Sequence, residues 1–345
     1  MSGIQQAPEP YDVPDIPSGL SVAYMPISRL KTWLEKTGAQ IFVIIAFGRT
    51  PLPLLGCPVL LLDLPQLEGP PLCEVWFTDQ AVRINHASEL SWVMTNDLMV
   101  GFLNLLERPG VSLDTTVHSA YTHLLDHLRQ TRYPHLWRIW NYFPRINEIS
   151  GGLERYRRFC VGRHRAFSAA LPDLADSLPA ATAVGTGSGP LQLLFIAGAC
   201  PAAGLGNPRQ THAYEYPRMY GPVSPSFSRA SLCRTGDETH LLISGTASVI
   251  GHASTHIGFP EEQTKEIVRN LLCLLGHAGS VAPRRFGGMR SRGAYKVYVR
   301  HADHLPAIRK ALGHSPLASN HFMFLQADLC REELLVEIEG SVTSF

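Results

Sequence analysis

Apolar and polar positions along the chain run through the same pattern twice. From Ser119 the segment SAYTHLLDHLRQT spaces its apolar residues by three and four. A 3.6-residue period puts them on one face, which predicts a helix. LWRIWNYFPRIN (136–147) reads as a strand, GGLERYRRFCVGRHRAFSAAL as a second helix, and ATAVGTG (181–187) and LQLLFIAG (191–198) as two further strands. From Glu261 the order returns. EEQTKEIVRNLLCLLGHAG is a helix closed by glycine, YKVYVRHAD (295–303) alternates as a strand, HLPAIRKALG is helical, and HFMFLQADL and LLVEIEG (334–340) are strands. Further strand-like runs precede each round: AQIFVIIAFG, PVLLLDL and CEVWFTDQAVRI before the first, YEYPRMYGPVSPSFSRASL and HLLISGTASVIG before the second. Self-similarity on this scale signals duplicated architecture. The predicted fold class is α+β: two tandem modules, each a mostly antiparallel sheet with helices packed on one face. GACPAAGLGNPRQ, rich in proline and glycine and without period, separates residues 1–205 from residues 206–345.

The last strand is unusual in carrying acids. Alternation sets Val336 and Ile338 on one face and Leu335, Glu337 and Glu339 on the other. Aligning the two rounds on Gly198 and Gly340 places Phe195 opposite Glu337 and Ala197 opposite Glu339. Only the second round then has carboxyl groups there, which favours a chemical use for Glu337 over mere wetting of an exposed face.

Composition narrows the function classes. Hydrophobic residues make up 45% and charged residues 17%, enough for a sizeable core and too little charge for disorder. Thirty basic against twenty-nine acidic residues give a net charge of +1, so no general attraction to nucleic acid or anionic membrane is expected. Arginine is dense in 154–167 and 282–296, as solvated faces or as grips for an anionic substrate. Seven cysteines stand singly with no C-x-x-C pair, which argues against a disulfide framework or structural zinc and fits a reducing cytoplasm. The longest apolar runs, such as IFVIIAF (41–47), fall far short of the roughly 20 residues a membrane helix needs. HASTH (252–256) has a metal-like H-x-x-x-H spacing, but Gly251 and Gly258 make it a loop, and no metal or organic cofactor is expected.

LLISGTASVIG, the helix start QTKEIVRNL, KVYVRHADHLPAIRKAL and LLVEIEG together make the second module resemble the Rid, or YjgF-like, family. That resemblance implies an active site between modules, lined by the first acid of the final strand, Glu337. Rid imine deaminases carry an arginine about fifteen residues before that acid; here the neighbourhood reads Asn320, His321, Phe322. Deamination is thereby disfavoured as the activity. His321 reads as a packed core histidine rather than a pocket residue.

YPHLWRIWNYFPRIN, RYRRFCVGRHRAF, ATAVGTG, AYEYPRMYGPVSPSFSRA, ISGTASVIGHASTHIG and LCREELLVEIEG recur in the order of the chorismatase family, whose members are tandem Rid-like modules. The chain resembles the hydroxybenzoate-forming type most. The implied substrate is chorismate, a ring diene with two carboxylates, a hydroxyl and an enolpyruvyl ether. The implied products are pyruvate and 3-hydroxybenzoate, with 4-hydroxybenzoate as a further product, feeding secondary metabolism such as pigment or quinone formation. Protonating the ether's terminal methylene needs a carboxylic acid that stays neutral near pH 7, a role the resemblance gives to Glu337. Cys330 joins it in the catalytic set, not as a nucleophile but as part of a pocket that excludes hydrolytic water. Arg163 and Arg229 match the family motifs as grips for the carboxylates, with Tyr214 and Tyr220 adding hydroxyls. Gly245, Thr246 and Ala247 in SGTAS let backbone approach the ligand. The expected assembly is a monomer or homotrimer. The competing readings are a Rid-like deaminase and a non-catalytic module that binds small aromatic acids.

Overall fold

Four strands of the first eighty residues form a sheet of their own. β1 (Ser21–Pro26), β2 (Gln40–Phe47), β3 (Val59–Leu62) and β4 (Leu72–Thr78) lie in the order β1-β4-β2-β3, and α1 (Ile27–Thr37) buries Leu30 behind them. The computed structural model describes residues 19–344 except 49, 51, 53, 54, 172 and 283–291, so most of the arginine-rich run at 282–296 lies outside the described residues. The second sheet takes β5 (Arg83–Ala87), β6 (Leu90–Met94), β7 (Leu98–Leu105) and β8 (His135–Pro144). After a small hairpin of β9 (Ile149–Ser150) and β10 (Leu153–Glu154) come β11 (Ala180–Thr186) and β12 (Leu191–Gly198), completing the order β11-β8-β12-β7-β6-β5. Two helices, α2 (Leu113–Arg129) and α3 (Arg155–Ala170), cover its outer face, and the single turn α4 (Leu174–Ser177) precedes β11. The third sheet is built from β13 (Ala203–Leu205), β14 (Ala230–Thr235) and β15 (Glu238–Ala247), then, past the hairpin β16 (Val249–Ile250) and β17 (Ala253–Ser254), from β18 (Arg292–Val299), β19 (His321–Gln326) and β20 (Val336–Ser344). Its order is β13-β14-β15-β20-β18-β19, backed by α5 (Pro260–Val281) and α6 (Leu305–Gly313). No helix among the described residues is long and apolar enough to cross a membrane.

All three sheets turn their remaining faces to one shared core. Phe42, Leu62 and Trp76 come to it from the first sheet, Trp140, Leu194 and Ile196 from the second, and Leu242, Tyr298 and Leu325 from the third. The α+β class with two Rid-like modules therefore holds, with a third sheet added by AQIFVIIAFG and PVLLLDL, which do not join the first module's sheet as expected. Other sequence readings need correction too. Helix α2 begins at Leu113, six residues before Ser119, because Leu113, Thr116 and Val117 already belong to its buried face. YEYPRMYGPVSPSFSRASL is strand only from Ala230, since Pro217, Pro222 and Pro225 cannot donate to a ladder and the chain makes two short 3-10 turns instead. The glycine alignment was one residue out of register. Phe195 and Ala197 face the helices, whereas Leu194 and Ile196 face the shared core as Glu337 and Glu339 do. A one-residue slip moves every side chain to the opposite face.

A polar cluster is set into this apolar centre. Glu339 on β20 receives Arg138 Nη2 at 2.6 Å, Lys296 Nζ at 2.9 Å, Tyr298 OH at 2.8 Å and Trp140 Nε1 at 2.9 Å, along with the hydroxyl of Thr182. Lys296 also meets Glu74 on β4 at 2.8 Å, so one ammonium group links the first sheet to the third, and Arg138 links the second. All four charged side chains are at most 3% exposed. Burying ions costs several kcal/mol each unless every charge is met, and two cations against two anions meet them here. Lys296→Met is expected to lower stability by about 3–5 kcal/mol in chemical denaturation, because Glu74 and Glu339 would then share the interior without the cation between them. Unchanged stability would show that the cluster does not hold the sheets together.

Candidate active site

Glu337 and Glu339 point to the same side of β20, yet only Glu339 has cations. No described residue makes an ion pair or hydrogen bond with the Glu337 carboxyl, which is 4% exposed. Burial, reinforced by the charge of Glu339, raises its pKa from 4.5 to about 8 in spite of the opposing charges of Arg138, Arg229 and Arg300. Burial pushes Glu339 the same way, but Lys296 and Arg138 outweigh it and hold Glu339 below the usual carboxyl range. Two acids two residues apart are thus driven to opposite protonation states, one a neutral acid near pH 7 and the other a carboxylate.

The Glu337 carboxyl lies against Gly245 of the neighbouring strand β15. A methyl group added to Gly245 would fall 2.8 Å from the Glu337 Cδ and would overlap its Oε1, so any side chain here would displace the Glu337 carboxyl. Together they border a cavity of about 510 Å³, within the range of small-molecule sites. Its walls come from both modules. Tyr156 and Cys160 on α3 belong to the first, and Phe227, Ala247, Val249 and Cys330 to the second. Arg300 fixes the segment bearing Cys330: its guanidinium donates to the carbonyls of Leu329, Arg331 and Leu334 and to Asn147 Oδ1 of the first module. Burial pushes the Cys330 thiol far up, so it lines the cavity as a neutral, weakly polar group.

Three arginines line the cavity; Arg157 is paired with Glu154 at 3.1 Å, and neither Arg229 nor Arg331 has a carboxylate partner among the described residues. Arg229 is 6% exposed, donates through Nη2 to Tyr216 OH at 2.7 Å and to the Thr211 carbonyl at 2.9 Å, and stacks over Phe227. Arg331 lies 3.9 Å over the Tyr220 ring and is held by the His252 carbonyl at 3.0 Å and Ser254 Oγ at 2.9 Å. Tyr220 OH meets His252 Nδ1 at 3.2 Å.

Of the residues singled out in the sequence, Glu337, Cys330, Arg229, Tyr220, Gly245 and Ala247 converge on this cavity. Three do not line it. Tyr214 stacks on His212 at 5.0 Å within the helix-side packing of the second sheet. Thr246 follows strand alternation to the opposite face and donates to the Ser244 carbonyl. Arg163, 1% exposed on α3, packs over Phe159 and against Phe227, with Nε and Nη2 unpartnered among the described residues. His321 is neither a core nor a pocket residue but sits exposed at the start of edge strand β19. His252 and His256 have separate partners, Tyr220 and Glu266, and no group of three or more potential ligands among the described residues is placed to hold a metal. Sequence reasoning missed Tyr216, two residues beyond Tyr214, and Arg331, which directly follows Cys330; both stood inside stretches already noted.

Residues 74–197 match the family model for the N-terminal part of FkbO/Hyg5-like chorismatases. The chain is 32% identical over 298 residues to a 3-hydroxybenzoate synthase of Streptomyces hygroscopicus, covering 83% of this chain and 86% of that protein. It is 33% identical over 293 residues to a chorismatase of Streptomyces rapamycinicus, covering 83% and 87%. The chain belongs to the chorismatase family. A solved chorismatase crystal structure superposes with a TM-score of 0.79 at 28% identity, covering 94% of this chain and 98% of that one. A chorismatase fold therefore accounts for nearly the whole chain, including the first sheet, about which residues 1–130 gave little sign.

The raised acid has a consequence for stability. Between about 4.5 and 8 the unfolded chain releases the Glu337 proton and the folded chain keeps it, so stability falls as pH rises through that window. Glu337→Gln is expected to flatten this slope and to gain about 1–3 kcal/mol near pH 7. An infrared carboxyl band that is present at pH 6, disappears around pH 8 and is missing in Glu337→Gln would confirm the assignment; titration near 4 would refute it.

Proposed function

We propose that this chain is a chorismatase that converts chorismate to pyruvate and 3-hydroxybenzoate, with Glu337 as the general acid. The observation that carries the reading is a neutral carboxylic acid, buried and without a counter-ion, at the edge of a cavity lined by Arg229, Arg331 and the Glu154-paired Arg157. Glu337 gives its proton to the terminal methylene of the enolpyruvyl ether, and positive charge develops at the adjacent ether carbon. The bond between the ring and the ether oxygen breaks and pyruvate departs with that oxygen; the neighbouring ring hydroxyl bridges to the vacated carbon and lets go of its own, and the vacated carbon gives up its hydrogen to the Glu337 carboxylate as the ring becomes aromatic. One proton leaves the acid and one returns. Chorismate contains all the atoms of the two products, so neither water nor an oxidant is consumed.

Chorismate's two carboxylates require two cationic partners. Arg229, over the Tyr216 ring, and Arg331, over the rings of both Tyr216 and Tyr220, fill that role, and Arg331 takes the place first read for Arg163. Cys330, Cys160, Tyr156 and Phe227 line the cavity with groups that hold water poorly, which favours capture within the substrate over hydrolysis. The deaminase reading finds no support at β19, where Asn320 caps a turn and donates nothing to the cavity. Three sheets closing round one core within a single chain favour a monomer over a homotrimer, and sedimentation at one chain mass would check this. The seven unpaired cysteines fit a cytoplasmic enzyme.

Mixing purified protein with chorismate and resolving the products by chromatography should yield equal amounts of pyruvate and 3-hydroxybenzoate; 4-hydroxybenzoate is measured in the same run. Glu337→Gln should lower kcat by about 10²–10⁴-fold with little change in KM, and the wild-type rate should fall as pH rises past about 8, where the acid ionises. No pyruvate release, or full activity in Glu337→Gln, would overturn the proposal.

A further inference from the structure

Strand β15 is irregular where it passes the catalytic acid. Its ladder to β20 goes from Ile243 opposite Gly340 directly to Thr246 opposite Ile338, so Ser244 and Gly245 bulge against Glu339. A bulge releases backbone groups from the ladder and bends the strand, and it persists when something else satisfies those groups. Here Ser244 N–H donates to the Arg229 carbonyl at 3.0 Å, and the other partners come from β11 of the first module. Ala181 N–H donates to Ser244 Oγ at 2.8 Å, and that hydroxyl donates onward to the Ser228 carbonyl at 2.6 Å. Gly245 N–H donates to Thr182 Oγ1 at 2.9 Å.

The Thr182 hydroxyl is fully used. Arg138 Nη2 reaches it at 2.6 Å beside the Gly245 N–H, so two donors occupy its two lone pairs. Its own proton is then directed to the Glu339 carboxylate. At 2% exposure, and not among the cavity-lining residues, Thr182 has no direct part in the reaction. Its influence passes through Gly245, since any movement of the bulge moves the surface against which the Glu337 carboxyl lies.

We propose that Thr182 is a positioning residue for this reaction, holding through the Gly245 N–H the β15 bulge on which the Glu337 carboxyl rests. The proposal builds on the reading of Glu337 as the acid. By tying the bulge to Arg138 and Glu339, the same hydroxyl also fixes two of the charged groups that act on Glu337; Arg229 and Arg300 act on it as well, and the Cys330 thiol of the same cavity interacts with it. The first module thus supplies the fastening for an acid carried by the second.

Thr182→Val keeps the shape and removes the hydroxyl, whereas Thr182→Ser keeps the hydroxyl. The Val variant should lower kcat by roughly 10–100-fold, as small misplacements of reacting groups do, while KM changes by less than about threefold. It should also move the infrared midpoint of the Glu337 carboxyl down by about one pH unit, because a carboxyl no longer pressed against the bulge gains water. Ser should restore both readings. Should the Val variant fail to fold, Thr182→Cys fills the same space with a weak hydrogen-bonding thiol and should show the same two changes. The infrared titration needs no substrate, so a wild-type protein inactive on chorismate would overturn the functional reading without deciding this one. A wild-type midpoint in the Val or Cys variant, or a Ser variant that restores neither reading, would overturn it.

Discussion

A carboxyl group held in an apolar wall without a cation, two residues from another that has two cations, is the arrangement on which the rest of this molecule turns. Water would neutralise the difference between the two acids at once. Only burial sustains it, and burial is bearable because Lys296, Arg138 and three neutral donors satisfy Glu339 completely. Glu339 then serves twice: it anchors three sheets, and its negative charge helps to keep the Glu337 proton in place.

The seam between modules is where these requirements meet. The first module brings Arg138 and Thr182 to the ion cluster and Tyr156, Arg157 and Cys160 to the cavity; the second brings both acids, Gly245, Arg229 and Arg331. Neither module holds a complete site. This explains why a duplicated chain carries its chemistry at one place, since the acids occur on β20 and their counterparts on β12, Leu194 and Ile196, are apolar. Arg300 closes the arrangement from the side by holding the Cys330–Arg331 segment to Asn147 across the seam.

Much of this was legible in the sequence, for physical reasons that differ by element. The long helices and the strand bearing Glu337 declared themselves through periodicity, and the two acids through their rarity on a strand otherwise apolar. The separate first sheet did not, because apolar runs such as IFVIIAF show that a strand is buried and not which partner it takes. The one-residue error in aligning the two rounds arose because the two anchoring glycines stand on opposite faces, Gly198 against Trp137 of the shared core and Gly340 against Tyr295 on the helix side, and a glycine has no side chain from which to read a face. Tyr214 was chosen over Tyr216 because a stretch broken by prolines offers no period from which to read direction. Thr182 was hidden for a deeper reason: its role depends on a bulge in a strand about sixty residues away, and sequence alone gives no sign of that meeting.

Neutron diffraction from a crystal held near pH 7 bears on the division of labour between the two acids most directly. A deuteron on the carboxyl of Glu337 and a bare carboxylate at Glu339 are the expected result. A deuteron on Glu339, or two ionised carboxylates, would contradict the assignment of Glu337 as the proton donor.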